Sequence, residues 1–225
     1  MKKRLLALIL IFTIGSTLFA LDLVVRKTDG TSVRIPISDI VSMTYEDGIA
    51  VGEKSASAKT YSVGDPGPAG GFILYDKGVF SDGWRYIEMA PASAEGKDKP
   101  WYVASNDIFN LGTKEELGSS ISNTKAIVEK YRSNGMMGTP DKWAASYCDN
   151  LTYGGYDDWA MPCREELALM YTDFHRNGKG GFANYYYWAS SEYDGYNVWY
   201  LNLETGTQYV IARDYEINVR PVRYF

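Results

Sequence analysis

The pattern of apolar and polar positions near the start of the chain predicts a small β-unit over residues 21–47. Every second side chain from 33 to 37 is aliphatic, which is typical of a strand with one buried face. Asp29-Gly30 lies between two strand-forming runs, so a hairpin turn is predicted there. A third strand is predicted at about 41–46. Three strands this short are marginal alone, so we expect the unit to pack on the main domain or on a partner.

Further strands are predicted at both ends of the main part of the chain. The apolar runs 72–76 and 84–90 flank a glycine-containing turn, and we expect them to pair as an antiparallel ribbon. Strand patterns recur near the carboxyl end at 185–191, 198–203, 209–212 and 217–223. Glu204-Thr205-Gly206 predicts a turn between the second and third of these strands.

Between these two sets of strands the apolar spacing becomes helical. One helix is predicted at 123–132. A second begins at Thr139-Pro140, because threonine caps helices and proline suits the first helical position. A third follows Cys163, where Pro162 ends an extended segment and Glu166 stands where a capping box places its glutamate. About three helices between two sets of antiparallel or mixed strands predict an α+β fold.

Composition sets the boundaries of the segments. Residues 1–20 combine a basic start, a short apolar run and a small residue, which predicts a secretory signal peptide. Residues 48–62 are rich in glycine, alanine, serine and lysine without apolar periodicity, so we interpret them as a linker. Residues 63–225 then form one domain. We expect an exported protein, in the periplasm, on the outer surface or secreted, with no membrane span after signal cleavage.

The net charge of the chain indicates which classes of binding partner are expected. The whole chain carries a net charge of −5. Loss of residues 1–20 removes three basic residues and no acidic one, which leaves 20 basic against 28 acidic residues and a net charge of −8. An acidic protein without a basic stripe is not expected to bind nucleic acid or anionic lipid.

The segment 154–167, G-G-Y-D-D-W-A-M-P-C-R-E-E-L, resembles the signature of the Lcl-type C-terminal domain family, long known as a domain of unknown function. Three more stretches match in order, at 63–91, 180–192 and 219–225. The resemblance implies a C-type-lectin-like fold related to that of the formylglycine-generating enzymes. It also implies structural roles for residues within these stretches. They are Trp159, Pro162, Glu166, Leu167, Trp188, Glu192, Arg220 and Arg223.

Two packing expectations follow for the matching stretches. Trp159, Trp188 and Leu167 have apolar neighbours at the expected period, so we expect them to share one core cluster. Charged residues within the matching strands are expected to form a partly buried ion network that supports the fold, or else to face a groove. These residues are Arg85, Glu192, Arg220 and Arg223.

The sequence offers little for catalysis or for cofactors. His175, the one histidine, lies in a polar helix end, where histidine more often interacts with the helix dipole than acts as a base. Cys148 and Cys163 are 15 residues apart with no histidine beside them, which does not suit zinc. Asp157 and Asp158 could ligate calcium, but a solvated turn is the favoured interpretation. We therefore predict no catalytic residue, metal or cofactor.

The two cysteines are expected to be close in space, because Cys148 lies near the end of one helix and Cys163 begins the next. Export favours a disulfide between them, and two separate buried thiols are the alternative. If they are not bridged, Cys163 at a helix N-terminus is expected to have a lowered pKa.

Together these features predict an exported, non-enzymatic binding or adhesion module of the bacterial cell envelope or surface, whose ligand is a glycan or a protein. Aromatic residues make up 15% of the chain and are candidates for the ligand contacts. We select Trp101, Tyr102, Tyr186 and Tyr196.

Two other functions stay open at this point. One is an enzyme with a degenerate formylglycine-generating-like site, and the other is a purely structural envelope protein. A cleft with converging titratable groups would favour the enzyme. An exposed aromatic patch without such groups would favour the binding module.

Overall fold

The structure is a computed structural model that describes residues 22–26, 32–36, 40–46, 49–54, 59–102, 110–135, 141–183 and 185–225. The chain divides into two compact units, Met1–Thr60 and Tyr61–Phe225. This division falls close to residue 63, where the main domain was predicted to begin. The predicted signal peptide, residues 1–20, lies outside the described residues.

The first unit contains two antiparallel strand pairs. β1 (Asp22–Arg26) pairs with β2 (Ser32–Pro36), and β3 (Ile40–Glu46) pairs with β4 (Ile49–Lys54). The two strands predicted around Asp29-Gly30 and the strand at about 41–46 are confirmed, while Asp29-Gly30 itself lies outside the described residues.

The predicted linker is wrong at its start, because β4 occupies residues 49–54. Ile49 and Val51 are β-branched and favour extended backbone, and they pair with Glu46 and Thr44 of β3. The composition of this stretch did not indicate a strand, because most of the surrounding residues are small. Residues 55–58 of the predicted linker lie outside the described part of the chain.

The second unit contains two sheets, and the larger has five strands. These are β7 (Gly96–Pro100), β8 (Tyr186–Glu192), β9 (Asn197–Asn202), β10 (Thr207–Ala212) and β11 (Glu216–Val219). Their order across the sheet is β10-β9-β8-β11-β7. The β8–β11 pair is parallel and the others are antiparallel. The first three predicted C-terminal strand regions are therefore confirmed, but the fourth, 217–223, is wrong as a single strand, because its strand in this sheet ends at Val219. β7 lies in a polar stretch for which no strand was predicted.

The smaller sheet consists of β5 (Phe72–Ser81), β6 (Trp84–Met89) and β12 (Val222–Tyr224), in the order β12-β6-β5. All its pairs are antiparallel, which confirms the predicted ribbon of 72–76 with 84–90. Because β12 follows β11 almost directly, the short stretch from Glu216 to Tyr224 contributes to both sheets. The two sheets with helices between them in sequence make this an α+β protein.

Three α-helices lie between the strands in sequence: α1 (Ser120–Ser133), α2 (Ala144–Asp149) and α3 (Arg164–Leu169). α1 starts three residues before its predicted beginning, because its first turn is polar and lacks the apolar period. α2 was predicted to begin at Thr139-Pro140, which lies outside the described residues. That start is wrong, because the cap residue Trp143 has extended backbone and the helix begins at Ala144. Among the described residues, no helix is long and apolar enough to cross a membrane.

The start of α3 follows the prediction. Cys163 is the cap residue, with extended backbone, and its N–H donates to the Glu166 carboxylate at 3.1 Å. After α3 the chain continues through a π-helical turn (Met170–Phe174) and a 3₁₀ turn (His175–Asn177). Gly178 then ends the helix with a φ of 68°, which suits glycine.

The predicted single cluster of Trp159, Trp188 and Leu167 is wrong, although all three side chains are buried. Trp188 packs in one cluster with residues of α1 and α2, and Leu167 packs in a second. Trp159 belongs to a third, small cluster with alanines that include Ala69 and Ala90. The reason is that neighbouring residues of β8 point to opposite faces, so the five-stranded sheet separates the first two clusters.

Each arginine of the predicted ion network has a carboxylate partner, and Arg85 pairs with Asp76 at 2.8 Å where both side chains are partly exposed. Arg220 pairs with Glu95 at 2.5 Å, and Arg213 pairs with Glu192 at 2.9 Å. All four of these side chains are at most 5% exposed. Partners of this kind stabilise the fold mainly because removal of either one leaves a buried charge uncompensated.

Arg223 contacts two carboxylates that are both distant from it in the sequence. Its guanidinium contacts Glu88 at 3.2 Å and donates two hydrogen bonds to Asp158, at 2.7 and 2.9 Å. Glu88 also accepts hydrogen bonds from the backbone N–H groups of Ala69 and Gly71, both at 3.0 Å. One guanidinium therefore connects β12, β6, the glycine-rich loop before β5 and the signature segment.

Trp159 gives a test of the third cluster. Its side chain is 3% exposed, and its indole N–H has no hydrogen-bond partner among the residues that the structure describes. Trp159→Ala is expected to lower the free energy of unfolding by about 3–5 kcal/mol, because it leaves a cavity. Trp159→Phe is expected to cost less, because it keeps a ring and removes a donor that makes no bond.

Urea unfolding monitored by circular dichroism measures both changes. Tyr215→Ala is the matched control, because Tyr215 is 54% exposed and its loss is expected to change stability by about 0.5 kcal/mol or less. Equal losses for the two Trp159 variants would contradict this expectation.

Candidate functional site

Three neighbouring strands bring tyrosines together on one face of the five-stranded sheet. Antiparallel pairing places Tyr200 of β9 opposite Tyr209 of β10 on one side and opposite Trp188 of β8 on the other. Opposite residues point to the same face, as do residues two apart on one strand, so Tyr186 shares this face. We call Tyr186, Tyr200 and Tyr209, together with Tyr185, the tyrosine face. Tyr185 precedes β8 and is included because its ring contacts that of Tyr186.

The rings of the tyrosine face contact one another in series. Ring centroids are 5.4 Å apart between Tyr185 and Tyr186, and 5.5 Å apart between Tyr186 and Tyr200. Tyr200 and Tyr209 are stacked, with centroids 5.8 Å apart and 30° between their planes. Tyr185, Tyr186 and Tyr209 are each between 38% and 47% exposed. Solvent, and therefore a ligand, reaches this row of rings.

The polar groups of the tyrosine face are uncharged. Asn202 stands opposite Tyr186 and also opposite Thr207, so an amide and a hydroxyl share the face with the phenols. Burial raises the pKa of Tyr200, and the neighbouring Tyr186 and Tyr209 raise it further. Its hydroxyl is therefore protonated at neutral pH, and it can donate one hydrogen bond and accept others.

Two buried tryptophans support the face from inside. The Trp188 ring meets Tyr200 edge-on, with centroids 6.5 Å apart, and its Nε1–H donates to the Lys99 carbonyl at 2.7 Å. Trp101 donates its own Nε1–H to the Ala189 carbonyl at 2.9 Å. The two indoles thus connect the end of β7 to the middle of β8, across β11. This reciprocal pair holds β8, the strand that carries Tyr186, in position.

The structure separates the four aromatic residues selected from the sequence. Tyr186 belongs to the tyrosine face. Tyr196 is 56% exposed in the turn between β8 and β9, where its N–H donates to Asp194. Trp101 and Tyr102 are 0% and 3% exposed, so they are core residues and are not placed to contact a ligand. Both pack against apolar residues that are distant from them in the sequence.

Tyr200 and Tyr209 were missed by the sequence reasoning. The predicted turn at Glu204-Thr205-Gly206 was enough to indicate that these two residues lie side by side. Folding the two flanking strands about that turn pairs Asn202 with Thr207, and Tyr200 then stands opposite Tyr209. Cross-strand pairing of a predicted hairpin would therefore have found the face, whereas inspection of single strands did not.

A separate cleft of about 260 Å³ lies where the signature segment passes α1. Its lining includes Lys125, Asp149, Asp157, Asp158 and Trp159. Asp158 is already engaged by the two hydrogen bonds from Arg223. Within the described ranges, no group of three or more His, Cys, Asp or Glu side chains is placed to hold a metal ion.

Several buried groups with raised pKa values lie together around Glu166. This carboxylate is fully buried and accepts hydrogen bonds from the Ser120 hydroxyl, the Tyr224 hydroxyl and the Cys163 N–H. Burial raises the pKa of Glu166, although these hydrogen bonds oppose the rise. The tyrosine partner is 8% exposed, and its pKa is also raised by burial and by the neighbouring carboxylate.

The two cysteines are free thiols, and both are fully buried. The expected disulfide is therefore absent: Cys148 packs in the cluster that contains Trp188, while the Cys163 thiol donates to the Glu116 carbonyl at 3.2 Å. The expected low pKa of Cys163 is also wrong. Burial, followed by the nearby Glu166 carboxylate, raises it well above the usual range. Burial has a larger effect on the pKa of Cys163 than the short helix that begins there.

The model of the Lcl C-terminal domain family matches residues 101–223. That range is more than half of the chain, and it contains the signature segment, the tyrosine face and four strands of the larger sheet from end to end. The chain belongs to the Lcl C-terminal domain family. No curated protein matches it.

The family match begins after β5 and β6, which the sequence resemblance had included. Both strands nevertheless belong to the same compact unit, because β6 pairs with β12. The compact unit that contains the family match therefore begins at Tyr61, well before the first matched residue.

The buried Glu166 of this Lcl C-terminal domain predicts a specific dependence on pH. A carboxyl group whose pKa is raised by folding binds its proton more tightly in the folded state, so its contribution to stability is present at low pH and is lost as pH rises. The unfolding free energy of the native chain, minus that of Glu166→Gln, is expected to fall as pH rises above about 4.3.

Urea unfolding at a series of pH values measures this difference. Glu129→Gln provides the matched control on the exposed side of α1, and its difference from the native chain is expected to be nearly constant. A constant difference for Glu166→Gln as well would contradict the raised pKa.

The cysteines give a second prediction for this domain. Neither thiol is expected to react with an alkylating reagent in the native, unreduced protein, because both are buried and both pKa values are raised by burial. Two thiols are expected to react after denaturation without reductant. Mass spectrometry counts the alkylated sites, and the absence of both thiols from the denatured, unreduced chain would instead reveal a disulfide.

Proposed function

We propose that this protein is an exported, non-enzymatic binding module that takes an uncharged saccharide on its tyrosine face. The observation that carries the proposal is the row of contacting, partly exposed rings of Tyr185, Tyr186, Tyr200 and Tyr209. Tyrosine supplies large contact area at low cost in side-chain entropy, together with one hydroxyl for hydrogen bonding.

The chemistry around the rings supports a saccharide as the ligand. The apolar faces of sugar rings can lie on the phenol rings, while sugar hydroxyls bond the phenol hydroxyls, Asn202 and Thr207. On β9 and β10 the residues of this face carry no charge. The chain as a whole has a net charge of −5, which disfavours sulfated or other polyanionic glycans.

The buried position of the perturbed groups supports a binding function over an enzymatic one. Glu166 and Cys163 are 0% exposed, and Tyr224 is 8% exposed. Their hydrogen bonds are made within the domain, to one another and to the backbone, so a substrate would have to displace the interior to reach them. These groups are better explained as supports for the start of α3.

Two further parts of the proposal rest on the sequence. The basic, apolar and small-residue pattern of residues 1–20 supports export. The resemblance of the signature segment supports a relation to the C-type-lectin-like fold, in which saccharide binding without a metal would be one use of the exposed aromatic surface. Adhesion of a cell to a glycan-coated surface is the function that follows from an exported module of this kind.

Isothermal titration of the purified protein with uncharged oligosaccharides tests the proposal. Tyr209→Ala is expected to weaken binding of a saccharide ligand about tenfold or more, because an exposed aromatic anchor is lost. Tyr209→Phe, which keeps the ring and loses the hydroxyl, is expected to weaken binding less. Tyr186→Ala is expected to act in the same direction as Tyr209→Ala.

The matched controls are Tyr193→Ala and Tyr215→Ala, which remove tyrosines that are 58% and 54% exposed outside the tyrosine face. Both are expected to bind as the native chain does. Equal affinity of Tyr209→Ala and the native chain, or preferential binding of sulfated glycans, would refute the proposed ligand.

A further inference from the structure

Three of the four sheet edges in the second unit are covered or carry features that oppose pairing with another strand. The β7 edge has Lys97, Asp98, Lys99 and Pro100 in succession. The β12 edge is bridged by Ala160, which exchanges hydrogen bonds with Val222. β5 pairs with β6 through two register shifts, which bend its edge. Charges, prolines, bulges and covering segments are the usual protection of exposed edges.

The fourth edge, β10, lacks these features. Its six residues, T-Q-Y-V-I-A, include no charge and no proline. It pairs with β9 over six successive residues without a register shift, and it is the last described strand on this side of the sheet. Tyr209 and Val210 at its centre are 47% and 37% exposed. A regular, uncharged edge that is rich in strand-forming residues is well suited to pair with another strand.

We propose that β10 pairs antiparallel with β10 of a second copy of this chain, so that two domains form a dimer with a continuous ten-stranded sheet. Pairing between identical strands of this kind has a two-fold axis perpendicular to the sheet. Each residue then stands opposite itself or opposite a residue an even number of positions away. Any charged residue near the centre would meet its own copy or lie close to it, which destabilises pairing.

The lack of charge in β10 is therefore what pairing with an identical strand requires, whereas a strand of a different protein could carry complementary charges. The side chains also suit self-pairing. An axis at Tyr209 places the two Tyr209 rings opposite each other, and an axis at Val210 places Tyr209 opposite Ile211. Aromatic and aromatic–β-branched pairs of both kinds stabilise neighbouring strands. The contact is the same patch on both copies, so the assembly closes at two.

The same axis has a consequence for the tyrosine face. A two-fold axis perpendicular to the sheet keeps corresponding faces on the same side, so the two tyrosine faces meet at the dimer centre. For a ligand with repeated units, this arrangement would make the second contact intramolecular and slow dissociation. The pairing itself stands apart from the proposed saccharide binding, and only this consequence rests on it.

Sedimentation equilibrium of the full chain over a wide range of concentration tests the pairing. The native chain is expected to reach twice the mass of one chain. Val210→Lys is expected to remain a single chain at concentrations where the native chain is paired, because the two lysines lie close together across the axis. Val210→Thr, which keeps a β-branched and uncharged residue, is expected to pair as the native chain does.

Val79→Lys is the matched control. Val79 is 63% exposed on β5 of the other sheet, so the same substitution there is expected to leave pairing intact. Thermal melts check that each lysine variant is folded. A native chain that stays single at all concentrations, or a folded Val210→Lys variant that pairs normally, would overturn the proposal.

Cross-linking gives a readout that does not depend on a destabilised variant. Val210→Cys is expected to form a disulfide-linked dimer under mild oxidation, whereas Val79→Cys is expected to stay single. The native thiols are buried and do not compete. Equal cross-linking of the two variants, or none in Val210→Cys, would count against the β10 contact.

Saccharide binding separates this proposal from the proposed function. The side chains of Val210 and Tyr209 point to different faces of the sheet. Val210 pairs with Trp199 of β9. Val210→Lys is therefore expected to keep the affinity of a single site and to lose only the slow dissociation from a saccharide-coated surface. Loss of binding in Tyr209→Ala with an unpaired native chain would refute the dimer and leave the binding function standing.

Discussion

The buried carboxylate of Glu88 is the point on which the arrangement of the second unit depends. It is completely inaccessible to solvent, and a charge in that position is tolerated only where partners surround it. Two backbone N–H groups of the glycine-rich loop and the guanidinium of Arg223 supply those partners. Each comes from a different part of the chain, so the requirement to neutralise one charge brings these parts together.

Glycines make this arrangement sterically feasible. A Cβ atom at Gly67 would lie 2.3 Å from the Glu88 carboxyl carbon, so the loop can close over the carboxylate only without a side chain there. Gly154 of the signature segment has a φ of 63°, and a Cβ atom on it would lie 2.2 Å from the Ala69 carbonyl oxygen. The glycine-rich loop and the signature segment are thus packed backbone against backbone, next to the Arg223 and Asp158 pair.

The aromatic residues of this chain serve two purposes that composition does not distinguish. Trp101 and Trp188 are buried, and their indole N–H groups bind carbonyls of each other's strand regions. The Tyr200 ring contacts the buried Trp188 ring and the ring of Tyr209 at the sheet edge. The exposed row therefore has a rigid base, and a rigid aromatic surface loses little entropy when a ligand is bound.

The sequence by itself determined the features that depend on near neighbours in the chain. The cap at Cys163 and Glu166 and the turn at Glu204-Thr205-Gly206 are local, and the structure has them where the pattern indicates. The signature segment likewise led to the right family. Residues close together in the sequence decide the cap and the turn, so a short window of sequence suffices for them.

Only the tertiary structure decided which residues meet across long distances in sequence. Trp159, Trp188 and Leu167 have similar local patterns, yet they lie in three different clusters, and the five-stranded sheet separates those of Trp188 and Leu167. Cys148 and Cys163 are both free, buried thiols, and burial raises the pKa of Cys163, which a helix N-terminus would otherwise lower. The physical reason is common to both cases: burial and partner choice depend on strand order and register, which residues far apart in the chain set together.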